Sequence, residues 1–395
     1  MRIIIFSILN IFVSLILSGA VFAVSIVVDA EIENFLKEIT EPLIKSSGLE
    51  MDSIKFFIVN DKNVNAFIFG GQNIFVNTGI FTTFDTPDAL LGILSHEIGH
   101  IAAGHLTRYD AGTKSATNIT FASILLSVGA LLTGHPEIAQ FTLLGGLSAG
   151  QQNVLKYTRE QEEIADLIGI QLLEENNLSA NALLISMNKF YKEQLDYSPQ
   201  IEYFLTHPLS RNRKQFIETK VKEEHNLDNK IFNKKYDKKF NFIRAKILSY
   251  NRENYKNILK NDYLIYANAI SNNSLKDIDY LIKKEPNNPY FYELKADILL
   301  RKNLIEKSLE NYDVADKILV DNELIKKTIA YIIIKYKQKE RYQDAINKLN
   351  FTYLINNDYN ILKLLAEAYH LNNEYAKSNE TLLKYKKLKD EDKKR

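Results

Sequence analysis

Three of the chain's seven histidines fall within ten residues, in the stretch LLGILSHEIGHIAAGHL over 90–106. On a helix His96 and His100 stand four positions apart and project from one face, with Glu97 about 100 degrees round the axis. Two imidazoles so placed reach one zinc ion at about 2.0–2.1 Å, and the carboxylate beside them takes a proton from water without binding the metal itself. The plain alternative is a pair of packed histidines beside a buried glutamate. It is the weaker reading, because an unpaired carboxylate in an apolar interior costs several kcal/mol or protonates. His105 lies nine positions from His96, on the far side of a continuous helix, and reads as structural.

Such a metal needs a third protein ligand. The segment KYTREQEEIADLIGIQLLEE, over 156–175, places Glu162 and Asp166 four apart on a second helix. One carboxylate can then bind metal while the other receives the free ring N–H of a ligand histidine. A solvated acidic face fits the same spacing, since Glu160, Glu163, Glu174 and Glu175 are close by. Farther on, THPLSRNR over 206–213 adds His207 and Arg213.

Taken in order, NAFIFGGQNIFVNTGIF, HEIGHIAAGHL, TREQEEIAD and THPLSRNR resemble the zincin peptidases of the family that contains the CAAX-prenyl endopeptidases. The likeness is greatest to its periplasmic members with C-terminal tetratricopeptide repeats, and it spans most of residues 30–215. It implies that Glu162 is the third ligand, that Glu97 is the general base, and that one Zn2+ is held per chain, with Asp166 supporting a ligand from behind. In that family the histidine of the H-P segment approaches the metal, filling the open position at rest or steadying the oxyanion. His207 and Arg213 are therefore expected with Glu97 in the catalytic group; a loop histidine held by Pro208 is the plain reading of His207. The reaction implied is hydrolysis of peptide bonds in misfolded or unassembled envelope proteins. The rival is a chaperone-like outer-membrane assembly factor whose protease site is mostly dormant. An extended substrate is expected to add a strand along NIFVNTGIF, with Asn77 and Gly79 as backbone contacts.

Several elements must position these groups. Ile32, Phe35, Leu36, Ile39 and Leu43 are spaced as one face of an amphipathic helix. IKFFIVND, AFIFG and NIFVNTGIF read as short strands divided by Asn/Asp and Gly70-Gly71 turn signals. The histidine helix is expected to start at DTPDALLG, with Thr86 or Asp85 as cap and Pro87 in its first turn. Between the two metal helices, residues 117–150 are apolar and rich in small residues, with a break at Gly134-His135-Pro136. They read as a helical hairpin that covers the site, touches a membrane surface or meets a partner, with burial in the core as the plain alternative.

Lysine and arginine number 50 against 49 acidic residues, so nothing electrostatic favours nucleic acid as a partner. The absence of cysteine excludes disulfides and thiolate chemistry. Arg2, the apolar run that follows and Val21-Phe22-Ala23 read as a signal peptide over 1–23, or as an anchor if uncleaved. Export is expected either way, and the resemblance places the destination in the periplasm of a Gram-negative bacterium.

The peptidase domain is expected over 24–221 and a charged linker over 222–241. A helical-repeat domain is expected over 242–390, where paired positions recur twelve apart: Ala296 and Ser308, Ile333 and Ala345, Ala366 and Ser378. That resembles a tetratricopeptide array, whose groove would recruit substrate or an outer-membrane assembly machine. The fold class expected is thus α+β, a mainly helical zincin-like domain with a small sheet followed by an all-α repeat.

Overall fold

A computed structural model describes residues 26–69, 71–105, 157–195, 207, 210–223, 234–251, 255–356 and 358–392. The expected signal segment over 1–23, the hairpin over 117–150 and the middle of the charged linker lie outside these residues. The chain divides into two compact units. One comprises Met1–Val27, Thr40–Phe84 and Asp88–Phe232; the other comprises Val28–Ile39, Asp85–Pro87 and Asn233–Arg395.

The first unit holds the sheet. Its strands are β1 (Ile26–Val27), β2 (Lys55–Val59), β3 (Ala66–Ile68) and β4 (Asn73–Asn77), in the order β1-β2-β4-β3. β2 and β4 run parallel, with Lys55 opposite Asn73 and Val59 opposite Asn77. β3 pairs antiparallel with β4, Ala66 opposite Val76. Alternation divides the residues: Ile58, Ile74 and Val76 are buried, while on the other face the Phe57 and Phe67 rings stack on Phe75 at 4.9 and 5.1 Å. The third predicted strand stops at Asn77, because the chain turns at once into helix α2 (Thr78–Thr83).

Helix α1 (Ala30–Ser46) precedes β2 and buries the five positions its spacing selected. Helix α3 (Pro87–Ala102) starts at the proline, which loses nothing there because the first-turn N–H groups have no partner within a helix. Helix α4 (Arg159–Glu175) begins with a reciprocal cap, Thr158 accepting from the Gln161 N–H and Gln161 from that of Thr158. Helices α5 (Asn181–Leu195) and α6 (Arg211–Glu223) follow; α6 packs on α4 and α5.

The approach of α3 to α4 decides the site. A Cβ on Gly99 would stand 2.6 Å from the carbonyl oxygen of Ala165, and one on Gly169 would stand 3.1 Å from that of Ser95. Glycine at both crossings lets the two backbones touch beside His96, His100, Glu162 and Asp166.

The second unit is helical: α7 (Lys234–Tyr250), α8 (Asn261–Asn272), α9 (Leu275–Lys284), α10 (Pro289–Arg301), α11 (Ile305–Ile318), α12 (Glu323–Lys335), α13 (Tyr342–Asn356), α14 (Asn360–Leu371) and α15 (Tyr375–Asp392). The second half of the expected linker, from Lys234, is the start of α7, because Phe240 and Phe242 are buried there. Each helix packs on the next, and Val28–Ile39, which includes the first ten residues of α1, belongs here: Lys246 pairs with Asp29 and Glu31 at 2.9 and 2.8 Å.

At two helix pairs the twelve-residue spacing has a direct cause. Ser308 donates from Oγ to the carbonyl of Ala296, and Ser378 to that of Ala366, each at 2.8 Å. The middle pair differs from expectation. Asn303, Lys337 and Asn373 take the left-handed conformation at equivalent turns, and the residues seven before them are Ala296, Ala330 and Ala366. Ala330, not Ile333, therefore fills the small-residue slot. The extra turn Lys339–Arg341 lengthens its distance to Ala345.

Candidate metal centre

Nε2 of His96 and Nε2 of His100 converge to 3.1 Å. Glu162 meets them from α4, its Oε1 3.3 Å from His100 Nε2 and its Oε2 3.5 Å from His96 Nε2. His207 arrives from far along the chain, with Nδ1 3.0 Å from Glu162 Oε1 and 3.3 Å from His96 Nε2. Four ligands held tetrahedrally at about 2.0–2.1 Å from one zinc ion stand about 3.3–3.4 Å from one another. The distances among these groups, 3.0 to 3.5 Å, lie near that value, and one donor atom from each of the four residues falls within 4.8 Å of the rest. All four residues are wholly buried, and nitrogen with carboxylate oxygen is a donor set that zinc accepts. Glu97, equally buried, has no hydrogen-bond partner for either oxygen, and its Oε1 lies 3.3 Å from His207 Nε2.

Behind the ligands stands an ionic brace. Nδ1 of His96, the nitrogen turned away from the cluster, lies 2.9 Å from Asp166 Oδ1. Arg213, on α6, donates from Nε and Nη2 to the two Asp166 oxygens at 2.6 and 2.8 Å and also pairs with Glu162 through Nη1. Arg213, expected in the catalytic group, stands here with its guanidinium on two carboxylates one helical turn apart. It acts by holding them.

The charges follow from these contacts. Burial raises the Glu97 carboxyl above the usual range, against the lowering effects of His207 and His96. Burial would raise Glu162 too, but His207, His100 and His96 together hold it well below. Asp166, likewise penalised by burial, is kept low chiefly by Arg213. Burial drives His100 well below its ordinary value. For His96 burial also opposes the charge, yet Asp166 and Glu162 outweigh it and raise the ring to about 9.

Asn77 and Gly79 do not serve as expected. β4 lies inside the sheet, between β2 and β3, so a substrate cannot add to it. The Asn77 N–H donates to Asn65 O, and the Gly79 N–H donates to Asp61 O at 2.7 Å. A Cβ on Gly79 would come within 2.2 Å of the Lys62 carbonyl oxygen, so this glycine serves close packing. The edge beside β4 is β3.

Two residues beside the ligands escaped the helical-wheel reading. α3 ends at Ala102, and Gly104 at φ +63° turns the chain back, so His105 returns to the cluster instead of facing away. Its Nδ1 lies 2.8 Å from that of His100. Tyr157, just before the cap of α4, lies flat on the His100 ring with centroids 3.8 Å apart. The helix-ending glycine at Gly104 was the available signal for His105; nothing local marked Tyr157.

The stretch that carries this centre resembles known peptidases. Residues 31–221 match the model of peptidase family M48. The Beta-barrel assembly-enhancing protease of Escherichia coli (strain K12) is 24% identical over 363 residues, 86% of this chain and 72% of that protein. The protein of the same name from Yersinia pestis is 28% identical over 189 residues, 48% of this chain and 38% of its own. The Mitochondrial metalloendopeptidase OMA1 of Schizosaccharomyces pombe is 26% identical over 184 residues, 47% of this chain and 51% of its own.

Proposed function

We propose that this chain, a zinc metalloendopeptidase whose residues 31–221 form a peptidase family M48 domain, cuts misfolded or unassembled proteins of the bacterial envelope. The observation that carries the site assignment is the convergence of four buried donors within 4.8 Å of one another, with the buried Glu97 carboxylate, which accepts no hydrogen bond, beside them. His96, His100 and Glu162 hold the metal in this reading. When bound, zinc supplies the Lewis acid that activates water and polarises the scissile carbonyl. Glu97 accepts the proton of the attacking water and passes it to the leaving amine; a carboxyl whose affinity for protons is raised by burial is suited to both transfers. Asp166 and Arg213 keep His96 and Glu162 in place.

His207 caps the centre at rest, because its Nδ1 stands within the donor set and its ring lies against Glu97. Substrate then enters only when His207 withdraws. This accounts for a restrained protease without the rival reading of a dormant one, which membership in a peptidase family does not favour. The helix pairs of the second unit form a tetratricopeptide-type array that recruits substrate or the outer-membrane assembly machine. Support for that partner comes from the relatives' name, Beta-barrel assembly-enhancing protease. Export to the periplasm rests on the signal-like residues 1–23, and membrane contact on residues 117–150. Among the described residues no helix is long and apolar enough to cross a membrane.

Cleavage of an unfolded outer-membrane protein by wild type, Glu97→Gln and His207→Ala tests the reading, with zinc content measured in each. Glu97→Gln should retain zinc and lose hydrolysis, and His207→Ala should retain zinc and cleave faster. Turnover near wild type in Glu97→Gln would remove the base from Glu97.

A further inference from the structure

We propose that His105 and Tyr157 are positioning residues that fix the tautomer and the tilt of His100 for metal binding. The proposal rests on the assignment of His100 as a zinc ligand. His100 turns Nε2 toward His96 and Glu162, at 3.1 and 3.3 Å. A neutral ring whose Nε2 lone pair faces a metal carries its proton on Nδ1. The partner of that Nδ1, at 2.8 Å, is Nδ1 of His105. His105 must therefore accept there and carry its own proton on Nε2, so one bond selects the tautomer of both rings.

The two histidine ligands are thus braced differently. His96 leans on the Asp166 carboxylate, which Arg213 neutralises in turn. His100 leans on a neutral imidazole. Charge gives the reason: the buried carboxylates of Glu97, Glu162 and Asp166 are balanced by Arg213 together with a divalent ion. A carboxylate in place of His105 would add a further buried negative charge to this balance. A neutral acceptor orients the ligand without that cost.

Tyr157 completes the brace from the ring's face. It is 8% exposed, and its ring lies within 18 degrees of parallel to that of His100. It directly precedes Thr158, the cap of α4. The element that presents Glu162 therefore also supplies the plate against which the α3 ligand rests, and the positions of the two ligands are coupled.

The test measures zinc affinity of the full-length chain by competition with a chelator, and the visible spectrum of the cobalt-loaded protein, beside the thermal midpoint of the metal-free form. His105→Phe keeps the bulk and removes the acceptor; it should weaken zinc about 10–100-fold. His105→Asn places an amide oxygen near the former Nδ1 and should restore affinity and the cobalt spectrum to near wild type. Tyr157→Leu should weaken zinc, and Tyr157→Phe should not. Wild-type zinc affinity in His105→Phe would overturn the proposal. So would equal weakening in His105→Phe and His105→Asn when their metal-free midpoints match, since bulk rather than an acceptor would then be what His105 provides. Wild-type zinc affinity in His100→Ala would instead defeat the ligand assignment beneath it.

Discussion

Replacing Arg213 with methionine should expose how strongly the site depends on one cation. Arg213 is 1% exposed, and its guanidinium serves two carboxylates that are wholly buried. Methionine fills much of the volume but removes the guanidinium from both acids, leaving Asp166 and Glu162 only their histidine partners. Removing one partner of a buried ion pair costs about 3–5 kcal/mol, and here two acids lose the same partner, so the metal-free protein should fall in the upper part of that range. With zinc present Glu162 gains a new counter-charge, the loss concentrates on Asp166, and the cost should move to the lower part.

The pH dependence of that loss has a definite sign. In wild type Asp166 titrates below its ordinary value because Arg213 stabilises its anion. The stability this pair contributes is present above the unfolded value, about 3.9, and is lost as pH falls through the folded value. Without Arg213 burial is opposed only by His96 and the carboxyl rises, so the variant's penalty is largest at neutral pH and shrinks as Asp166 takes up a proton. Urea unfolding at pH 7 and pH 4.5, with chelator and with zinc, measures both effects. Arg213→Lys should recover only part of the loss, since an ammonium cannot bridge both carboxylates with a planar fork. A methionine variant within about 1 kcal/mol of wild type at pH 7, or a gap that widens on acidification, would refute the reasoning.

Gly99→Ala should lower zinc affinity and cost about 1–3 kcal/mol of stability, because the new methyl collides with the Ala165 carbonyl and pushes α3 from α4; chelator competition and urea unfolding read both. Ser308→Ala should cost about 1 kcal/mol through loss of the bond to Ala296 O, and Ser308→Leu more, because its bulk separates α10 from α11. Burial raises Glu293 to about 8, above its unfolded value, so the wild-type stability associated with its protonated form is complete below about pH 4.3 and declines as pH rises toward 8. Glu293→Gln should therefore stabilise the protein by roughly 4–5 kcal/mol at pH 8 and hardly at all at pH 4; thermal midpoints across this range check it, and a constant difference would defeat it.

Local spacing was enough to read the helices that carry His96, His100, Glu162 and Asp166, since a four-residue separation places side chains on one face whatever surrounds them. The start of α3 at Pro87 and the buried face of α1 were legible for the same reason. So was the twelve-residue relation of Ala296 to Ser308 and Ala366 to Ser378, because a tight turn fixes which residues of paired helices meet. The middle repeat misled because the inserted turn Lys339–Arg341 changes the spacing while leaving the small residues in place. His105 misled because wheel arithmetic assumes a helix that continues, and this one stops at Ala102.

What the chain alone determined was which residues share a face, since that depends on backbone repeat and on nothing else. Which segments distant along the chain meet depends on packing. Only the tertiary structure set β4 inside the sheet, which closes it to strand addition by a substrate. Only it brought Arg213 from α6 between two carboxylates of α4, His207 against Glu97, and Tyr157 onto His100. The glycines at the crossing of α3 and α4 let those two helices approach closely, and no period in the sequence records what stands opposite a glycine.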